Sequence, residues 1–276
     1  MRSARRLKLG RKAILTGAVT AAIGFAGATA AVGAWGGSVT IDGGISLRSA
    51  NLKCPGGMVR LGHVFDANAS IYPGDPVPTV EQVATVPVDG FLLEKVTTGT
   101  HTGTHLSAPG HFLEGATTVD KLPAEDFAWP VRVIDVRQRV ANAPEFQVSI
   151  NDIRAFEHRH GRIPEGALVV LYTGFQDKFG TPAFLDAAPG FSEAAINFLF
   201  DNREIKAVGS DTFGPDASSD VDLLASTAVY AHGGVTIEVM AGLDQLNPTG
   251  DIVMAPTTAL RDGSGFLTDP LGCRRS

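Results

Sequence analysis

The segment HTGTHLSAPGH, residues 101–111, places three of the chain's seven histidines within eleven residues. Glycine, threonine and proline separate them, and these residue types are typical of strands and turns. His101, His105 and Ser107 alternate with other residues, so an extended backbone would project them from one face, with a glycine between the two imidazoles. After a Pro-Gly turn, His111 would fold back towards that face. Because neutral imidazole is the commonest protein metal ligand, the pattern favours a metal or acid–base site over three surface histidines.

The N-terminal segment, residues 1–34, has the pattern of a secretory signal. Its first twelve residues, MRSARRLKLGRK, carry six basic side chains and no acid, and a run of small apolar residues follows. A basic start, a hydrophobic stretch and small-residue endings are typical of a cleaved signal peptide, and the Arg5–Arg6 pair resembles part of a twin-arginine signal. The run is also nearly long enough for an uncleaved membrane anchor. We expect a secreted or extracytoplasmic protein that leaves the membrane once the signal is cleaved.

The remainder of the chain is acidic. The whole sequence has a formal net charge of −6, and removal of residues 1–34 would leave 17 basic and 29 acidic residues. Phosphate binding needs a basic surface, so neither nucleic acid nor an anionic membrane is expected as a partner. Residues 35–57 are rich in glycine and serine and are predicted to be an irregular leader. Residues 58–276 are long enough for a single domain with a substantial core.

Strand and helix patterns alternate irregularly along this domain. Strands are predicted in the segments MVRLGHVF, GFLLEKVTTGTHTGTH, VRVIDVRQRV, ALVVLYTGF, IKAVGSDTF and VTIEVMAGL. The second of these segments is either one strand or two joined at Gly99. The segment ALVVLYTGF is apolar enough to be buried on both faces. Ser149 and Ser192 are predicted N-caps of two helices, Gly161 is predicted to end the first, and a short helix is expected near residues 221–229. The alternation predicts an α/β fold with a mixed sheet.

The two cysteines, Cys54 and Cys273, lie far apart in the sequence and outside any Cys/His cluster, so a zinc finger is not expected. In an oxidising compartment they would form one structural disulfide, and two free thiols are the alternative.

The histidine segment resembles the H-x-G-T-H-x-D-x-P-x-H signature of the cyclase family, which includes bacterial kynurenine formamidase and isatin hydrolase. The turn YPGDP, the strand VLYTGF, the segment PGFSEAAINFLFDNREIKAVGSDTF and the strand GGVTIEVMAGLDQL match the family in order and spacing, so the resemblance covers roughly residues 58–270. It implies a swivelling β/β/α-type fold with a mixed sheet, often assembled as a homodimer. It also implies a metal-dependent hydrolase that opens small cyclic or aryl amides.

The same resemblance implies roles for individual side chains. His101 and His105 would be metal ligands, and His111 would be the general acid–base. The family's late acidic ligand falls on Glu238, which would act in both metal binding and catalysis. The aspartate that bridges two ions in two-metal members falls on Ser107, which therefore occupies a metal-ligand position.

Two serines depart from the family pattern. Ser107 replaces the bridging aspartate, and Ser226 stands where a histidine twelve positions before Glu238 would be expected; His232, six before Glu238, is a possible substitute. A serine hydroxyl is normally protonated and does not offset the charge of a dication. Without a bridging carboxylate, two cations would repel strongly. We therefore predict one divalent ion, zinc or manganese, held by the two motif histidines with Glu238 or water.

The resemblance implies hydrolysis of a C–N bond in a small cyclic or aryl amide by metal-activated water, with His111 passing a proton to the leaving nitrogen. One alternative is a cyclisation or dehydration of secondary metabolism on the same scaffold. Another is a non-catalytic secreted protein that binds a small ligand in a degenerate site. Asp211 is either a hydrogen-bond partner of a ligating histidine or a turn cap, and His63 is expected to be structural.

Overall fold

A nine-stranded mixed sheet forms the centre of the described chain. The computed structural model describes residues 54–275 and, towards the N-terminus, the backbone of two short strands at 40–41 and 45–46. The predicted signal at residues 1–34 lies outside this part of the chain. The chain divides into two compact units, residues 1–51 and 52–276. The two short strands pair with each other in the first unit, and the large sheet belongs to the second.

The strands and helices alternate as follows. The strands in chain order are β1 Thr40–Ile41, β2 Ile45–Ser46, β3 Met58–Arg60, β4 Thr79–Ala84, β5 Leu93–Thr97, β6 His105–Ser107, β7 Ala128–Asp135, β8 Gln147–Val148, β9 Leu168–Tyr172, β10 Gly190–Phe191, β11 Ala207–Ser210, β12 Val235–Glu238, β13 Thr249–Met254, β14 Gly265–Leu267 and β15 Leu271–Cys273. The α-helices are α1 Val86–Asp89, α2 Arg137–Val140, α3 Ile150–His160, α4 Glu193–Arg203 and α5 Leu224–Ala231. Short 3-10 turns connect several of them, among them Pro109–His111.

The large sheet has the strand order β14-β6-β12-β11-β9-β7-β13-β15-β3. Its four central strands, β12, β11, β9 and β7, run parallel, and the strands on both sides pair antiparallel. Helices α3, α4 and α5 lie along the sequence between these strands, as the crossovers of parallel pairs require. The predicted α/β class with a mixed sheet is confirmed.

Side-chain alternation along β9 shows why the centre of the sheet is buried on both faces. Val169 and Leu171 point into a core that also contains buried residues of α3, α4 and α5. Leu168, Val170 and Tyr172 point into a second core on the opposite face. That second core includes buried residues of β3 and β6, which lie near opposite ends of the strand order, so the sheet curls around it. The prediction that this strand is buried on both faces is confirmed.

The helix boundaries follow the predicted caps. Ser149 accepts a hydrogen bond from the backbone N–H of Asp152, whose carboxylate accepts from the N–H of Ser149, which completes a capping box at the start of α3. Gly161 follows the last residue of α3 with φ 88°, in the left-handed region that glycine adopts without strain. Ser192 caps α4 by accepting from the N–H of Ala195.

Residues 90–105 form neither one strand nor two strands joined directly at Gly99. Residues 93–97 form β5, which pairs with β4 as a separate two-stranded hairpin. The chain then turns through residues 98–104 before β6 begins at His105 in the large sheet. Gly103 has φ 62°, and this left-handed conformation ends the extended geometry between the two motif histidines.

The β4–β5 hairpin presents apolar side chains to solvent. Val83, Val88, Phe91 and Leu93 each expose at least half of their surface. Exposed apolar side chains gathered in one place are typical of a surface that another molecule covers.

A disulfide joins Cys54 to Cys273, so the predicted bridge is confirmed. It lies where β3 and β15 pair at the edge of the sheet. In the part of the chain that the structure describes, no helix combines the length and apolarity needed to cross a bilayer.

Candidate active site

The pairing of β6 with β12 brings the predicted residues together. The register places His105 directly opposite Glu238, and Ser107 directly opposite Thr236. Residues opposite each other in an antiparallel pair project from the same face, so all four side chains share one face of the sheet. His101 reaches this face from the preceding turn, with its ring centroid 5.1 Å from that of His105. The two histidines therefore converge, although not as a row on one extended strand.

Glu238 is the acid at the centre of this face, and its side chain is largely buried. Its Oε1 accepts hydrogen bonds from the hydroxyls of Thr236, at 2.7 Å, and Ser107, at 3.3 Å. Because Thr236 donates its only hydroxyl hydrogen to Glu238, its Oγ1 accepts a hydrogen bond from the phenol of Tyr230, at 2.8 Å. Burial raises the pKa of Tyr230, which keeps the phenol protonated for this role. A chain of hydroxyls thus fixes one carboxylate oxygen and leaves Oε2 available.

Oε2 of Glu238 lies 3.5 Å from Nε2 of His105. The other ring nitrogen of His105, Nδ1, donates to the carbonyl of Gly103 at 2.8 Å, so the hydrogen of the neutral ring is on Nδ1. Nε2 is buried and has no hydrogen-bond partner among the described residues. A buried nitrogen lone pair beside a free carboxylate oxygen is a donor pair that suits a cation.

His101 lies between two serine hydroxyls. Its Nδ1 is 3.0 Å from Oγ of Ser107, and its Nε2 is 2.8 Å from Oγ of Ser264. Because Ser107 donates its single hydroxyl hydrogen to Glu238, Nδ1 of His101 donates to Ser107 and Nε2 accepts from Ser264. Burial, and next the neighbouring His105 and His111, lower the pKa of His101 to about 3, so the ring is neutral at neutral pH.

His111 closes the side of the site nearest to solvent. Its ring stacks on that of His101 with 3.7 Å between centroids, and its edge faces Phe112. Burial lowers the pKa of His111 below its ordinary value, so it is neutral at pH 7. Neither ring nitrogen of His111 hydrogen-bonds to another residue within the described chain, which leaves both free for a substrate or water.

These side chains open into a pocket of about 240 Å³, which we call the reaction pocket. His101, His105, His111 and Glu238 line one side of it, and Ser107 lies behind them, fully buried. The remaining walls are formed by Tyr72, Asp75, Phe112, Phe213, Asp216, Leu223 and Ser226.

Ser226 lies on α5, where its backbone N–H and its hydroxyl both donate to the carboxylate of Asp216. Burial raises the pKa of Asp216 to about 6. His232 does not take the place of the absent histidine, because it lies beyond the end of α5, hydrogen-bonds to Asn197 at 3.0 Å and stacks on Phe200. Both of its neighbours belong to α4, away from the reaction pocket.

Two other candidates are structural. Asp211 is fully buried and accepts hydrogen bonds from Thr173 and from the backbone N–H groups of Gly174 and Gln176, so it caps the turn after β9. His63 stacks on Phe179 with 4.0 Å between ring centroids and lines a different cavity.

The donor atoms of this face suit a divalent ion. In His101 and His105 alike, Nδ1 donates to a protein oxygen and Nε2 carries the lone pair, the arrangement that orients a ligating histidine. His105 Nε2 is unpartnered already, whereas His101 would have to exchange the hydroxyl of Ser264 for the ion. Among residues 54–275, no three His, Cys, Asp or Glu side chains are already gathered as a metal site. A second ion would meet the hydroxyls of Ser107 and Ser226, which add no charge.

Sequence patterns missed four residues of this site. Thr236 lies two positions before Glu238 on a strand, so strand alternation was a signal for it. Tyr230 and Asp216 are brought in by the loop and helix packing around α5. Ser264 is 163 residues from His101, and nothing in its surroundings in the sequence marked it.

Comparisons with known proteins show which family this chain resembles. The Cyclase family model, described as "putative cyclase", matches residues 59–217. An isatin hydrolase of Roseibium aggregatum is 28% identical over 207 residues, which cover 69% of this chain and 78% of that protein. A kynurenine formamidase of Bacillus cytotoxicus is 26% identical over 195 residues, covering 70% of this chain and 86% of the relative. The solved structure of isatin hydrolase A from Labrenzia aggregata bound to benzyl benzoate superposes with a TM-score of 0.74 at 28% identity, over 79% of this chain and 94% of that one.

Proposed function

Because this chain belongs to the cyclase family, we propose that it is a metal-dependent hydrolase that opens the C–N bond of a small cyclic or aryl amide. The relatives named as isatin hydrolase and kynurenine formamidase support the enzyme class and the bond. The observation that carries the proposal is the unpartnered, buried Nε2 of His105 beside the free Oε2 of Glu238.

His101, His105 and Glu238 would hold one zinc or manganese ion, with Ser107 orienting both His101 and Glu238 by hydrogen bonds. A bound ion of this kind polarises the amide carbonyl and makes water a better nucleophile at neutral pH. The neutral ring of His111 accepts a proton from the attacking water and returns it to the leaving nitrogen. The new bond joins the water oxygen to the carbonyl carbon, and the C–N bond breaks. The products are a carboxylic acid and an amine, which remain in one molecule when the amide is cyclic.

The experiment combines metal analysis with hydrolysis of a panel containing isatin and formanilide. Protein purified without chelator should contain about one equivalent of zinc or manganese, and His105→Ala and Glu238→Gln should lose both metal and activity. His160→Ala changes an exposed histidine at the end of α3 and serves as the control that keeps both. Two equivalents of metal would contradict the single ion. Metal-free protein with full activity in His105→Ala would overturn the proposal.

A second candidate function is that of a secreted protein that binds a small ligand without catalysis, because Ser107 and Ser226 stand at two expected metal-ligand positions. The hydroxyl of Ser264 on Nε2 of His101 favours it, since this contact occupies a nitrogen that the ion would need. Binding of isatin or formanilide without turnover, by protein that takes up no metal, would select this candidate.

We also propose that the protein works outside the cytoplasm as a homodimer. The Cys54–Cys273 disulfide supports an oxidising compartment, since such bridges persist there. The exposed apolar side chains of the β4–β5 hairpin support association with a second copy. The acidic composition supports a small molecule, not nucleic acid, as the partner.

A further inference from the structure

The reaction pocket is small for a complete substrate site. Its volume of about 240 Å³ lies below the range of about 300–1,000 Å³ that is usual for small-molecule sites. A second cavity of about 330 Å³ adjoins it. The two cavities share Tyr72, Phe213, Asp216 and Leu223 in their walls, so a group bound in one is next to the other. We call this second cavity the side chamber.

The side chamber is lined mainly by apolar side chains. Its apolar walls include Phe175, Phe184, Leu185, Phe213, Val221 and Leu223. Phe184 is held in place by edge contacts with Phe175 and Phe213, at centroid distances of 6.2 and 4.8 Å, so the inner wall is rigid. At the rim, Leu185 and Val221 expose 58% and 85% of their surface. An apolar group placed here would bury surface that now faces water.

The charged side chains that line the side chamber are all acidic. They are Asp186, Asp216 and Asp220. Asp186 pairs with Lys178 at 3.4 Å, whereas Asp216 and Asp220 have no basic partner among the ion pairs of the described residues. The proposed ion would offset the charge of Glu238 in the reaction pocket. A substrate carboxylate placed in the side chamber would still meet the negative charge of Asp216 and Asp220.

We propose that the side chamber binds an uncharged apolar substituent on the ring of the substrate and selects against substituents that carry a carboxylate. The inference rests on the proposed function, because it places the reacting amide in the reaction pocket. It identifies the substrate class as aryl amides or lactams with an apolar extension, larger than a single ring system. Phe213 and Leu223, which face both cavities, contact the ring and the extension together.

The test uses three kinds of formamide: formanilide, 2- and 4-benzylformanilide, and the same benzyl compounds with a carboxylate on the outer ring. We expect kcat/KM of the better benzyl isomer to exceed that of formanilide by about tenfold or more, in line with apolar pocket contacts, and the carboxylate to reverse this gain. Val221→Trp narrows the side chamber from its exposed rim and should cut the benzyl-to-formanilide ratio by about tenfold. Asp220→Asn should raise the relative rate of the carboxylate compound.

Val64→Trp is the matched control, since Val64 is another highly exposed valine and lines neither cavity. Its benzyl-to-formanilide ratio should equal that of the wild type. A wild-type ratio of one or less for both isomers, or equal ratios in Val221→Trp and Val64→Trp, would overturn the inference. Calorimetric dissociation constants for the same compounds run in parallel. If no compound is hydrolysed, the proposed function fails, and the ratio of dissociation constants still decides whether the side chamber binds the extension.

Discussion

Gly265 offers a direct test of how closely the site is packed. It lies on β14 opposite Ser107, behind the ring of His101. A Cβ at this position would lie 2.6 Å from Cε1 of His101 and 2.7 Å from the carbonyl oxygen of Leu106. Both contacts are too short for a real Cβ, so β14 has to shift against β6 to relieve the carbonyl contact and the imidazole of His101 has to move as well. Restoring an ordinary contact of 3.4 Å requires a shift of about 0.8 Å.

Such a shift disturbs the contacts of His101 with Ser107 and Ser264. A misplacement of about 1 Å at a reacting centre costs up to about 100-fold in rate, so we expect Gly265→Ala to lower kcat/KM by about 10- to 100-fold. Overpacking should also lower the free energy of unfolding by about 1–3 kcal/mol. The measurements are hydrolysis of the best formamide of the panel and equilibrium unfolding in urea.

Gly272→Ala separates packing from catalysis. Its Cβ would lie 2.8 Å from both Leu246 and Val59, in the core and away from the reaction pocket. We expect a similar loss of stability with kcat/KM unchanged. A Gly265→Ala variant that is equally destabilised but fully active would show that catalysis does not depend on the exact position of the His101 ring, which would contradict the prediction.

Three further outcomes follow from the contacts described. Ser107→Asp adds a carboxylate between His101 and Glu238. Calorimetry should show zinc or manganese binding that is tighter by about tenfold or more, because metal affinity rises with the charge of the ligands. Unchanged affinity would mean that residue 107 does not face the ion. The hydrogen bond from Arg203 lowers the pKa of the largely buried Glu157. The pair therefore stabilises the fold at pH values above the unfolded-state pKa of Glu157. This contribution is lost as the pH falls through the lower folded-state pKa. Glu157→Gln should therefore cost about 1.5–3 kcal/mol at pH 7 and progressively less in acid, and a pH-independent cost would contradict the assignment. Phe91→Glu in the exposed hairpin should shift a homodimer to monomer in sedimentation equilibrium, with Val64→Glu as the exposed control, and an unchanged mass would exclude the hairpin from the interface.

Much of the fold was predictable because local chemistry agrees with the final structure. The serines before α3 and α4 satisfy the first N–H groups of each helix, and the apolar run at 168–172 matches a strand with a core on both faces. Membership in the cyclase family, predicted from the histidine segment and the order of the strands, is confirmed, as is the class of hydrolase that its named relatives represent.

The arrangement of the site was harder to predict. The prediction that residues 101–105 form an extended strand was wrong. The left-handed conformation of Gly103 makes this segment a turn. The convergence of His105 and Glu238 depends on the register between β6 and β12, which residues 133 positions apart in sequence do not specify by themselves. Ser264 and Tyr230 enter through tertiary packing and have no local signal. The metal, the homodimer and the export route remain predictions.

The Cys54–Cys273 bridge has a consequence for the connectivity of the whole domain. Its two cysteines are 219 positions apart, so the intervening backbone is closed into a covalent ring. One cut anywhere inside the ring opens it without releasing a fragment. A protein nicked inside the ring would run as one species until a reductant separates its two pieces. The disulfide also holds residues 54 and 273 close together. A circular permutant of the domain that connects these two positions by a short linker and begins at Gly90 would therefore keep the strand order of the sheet.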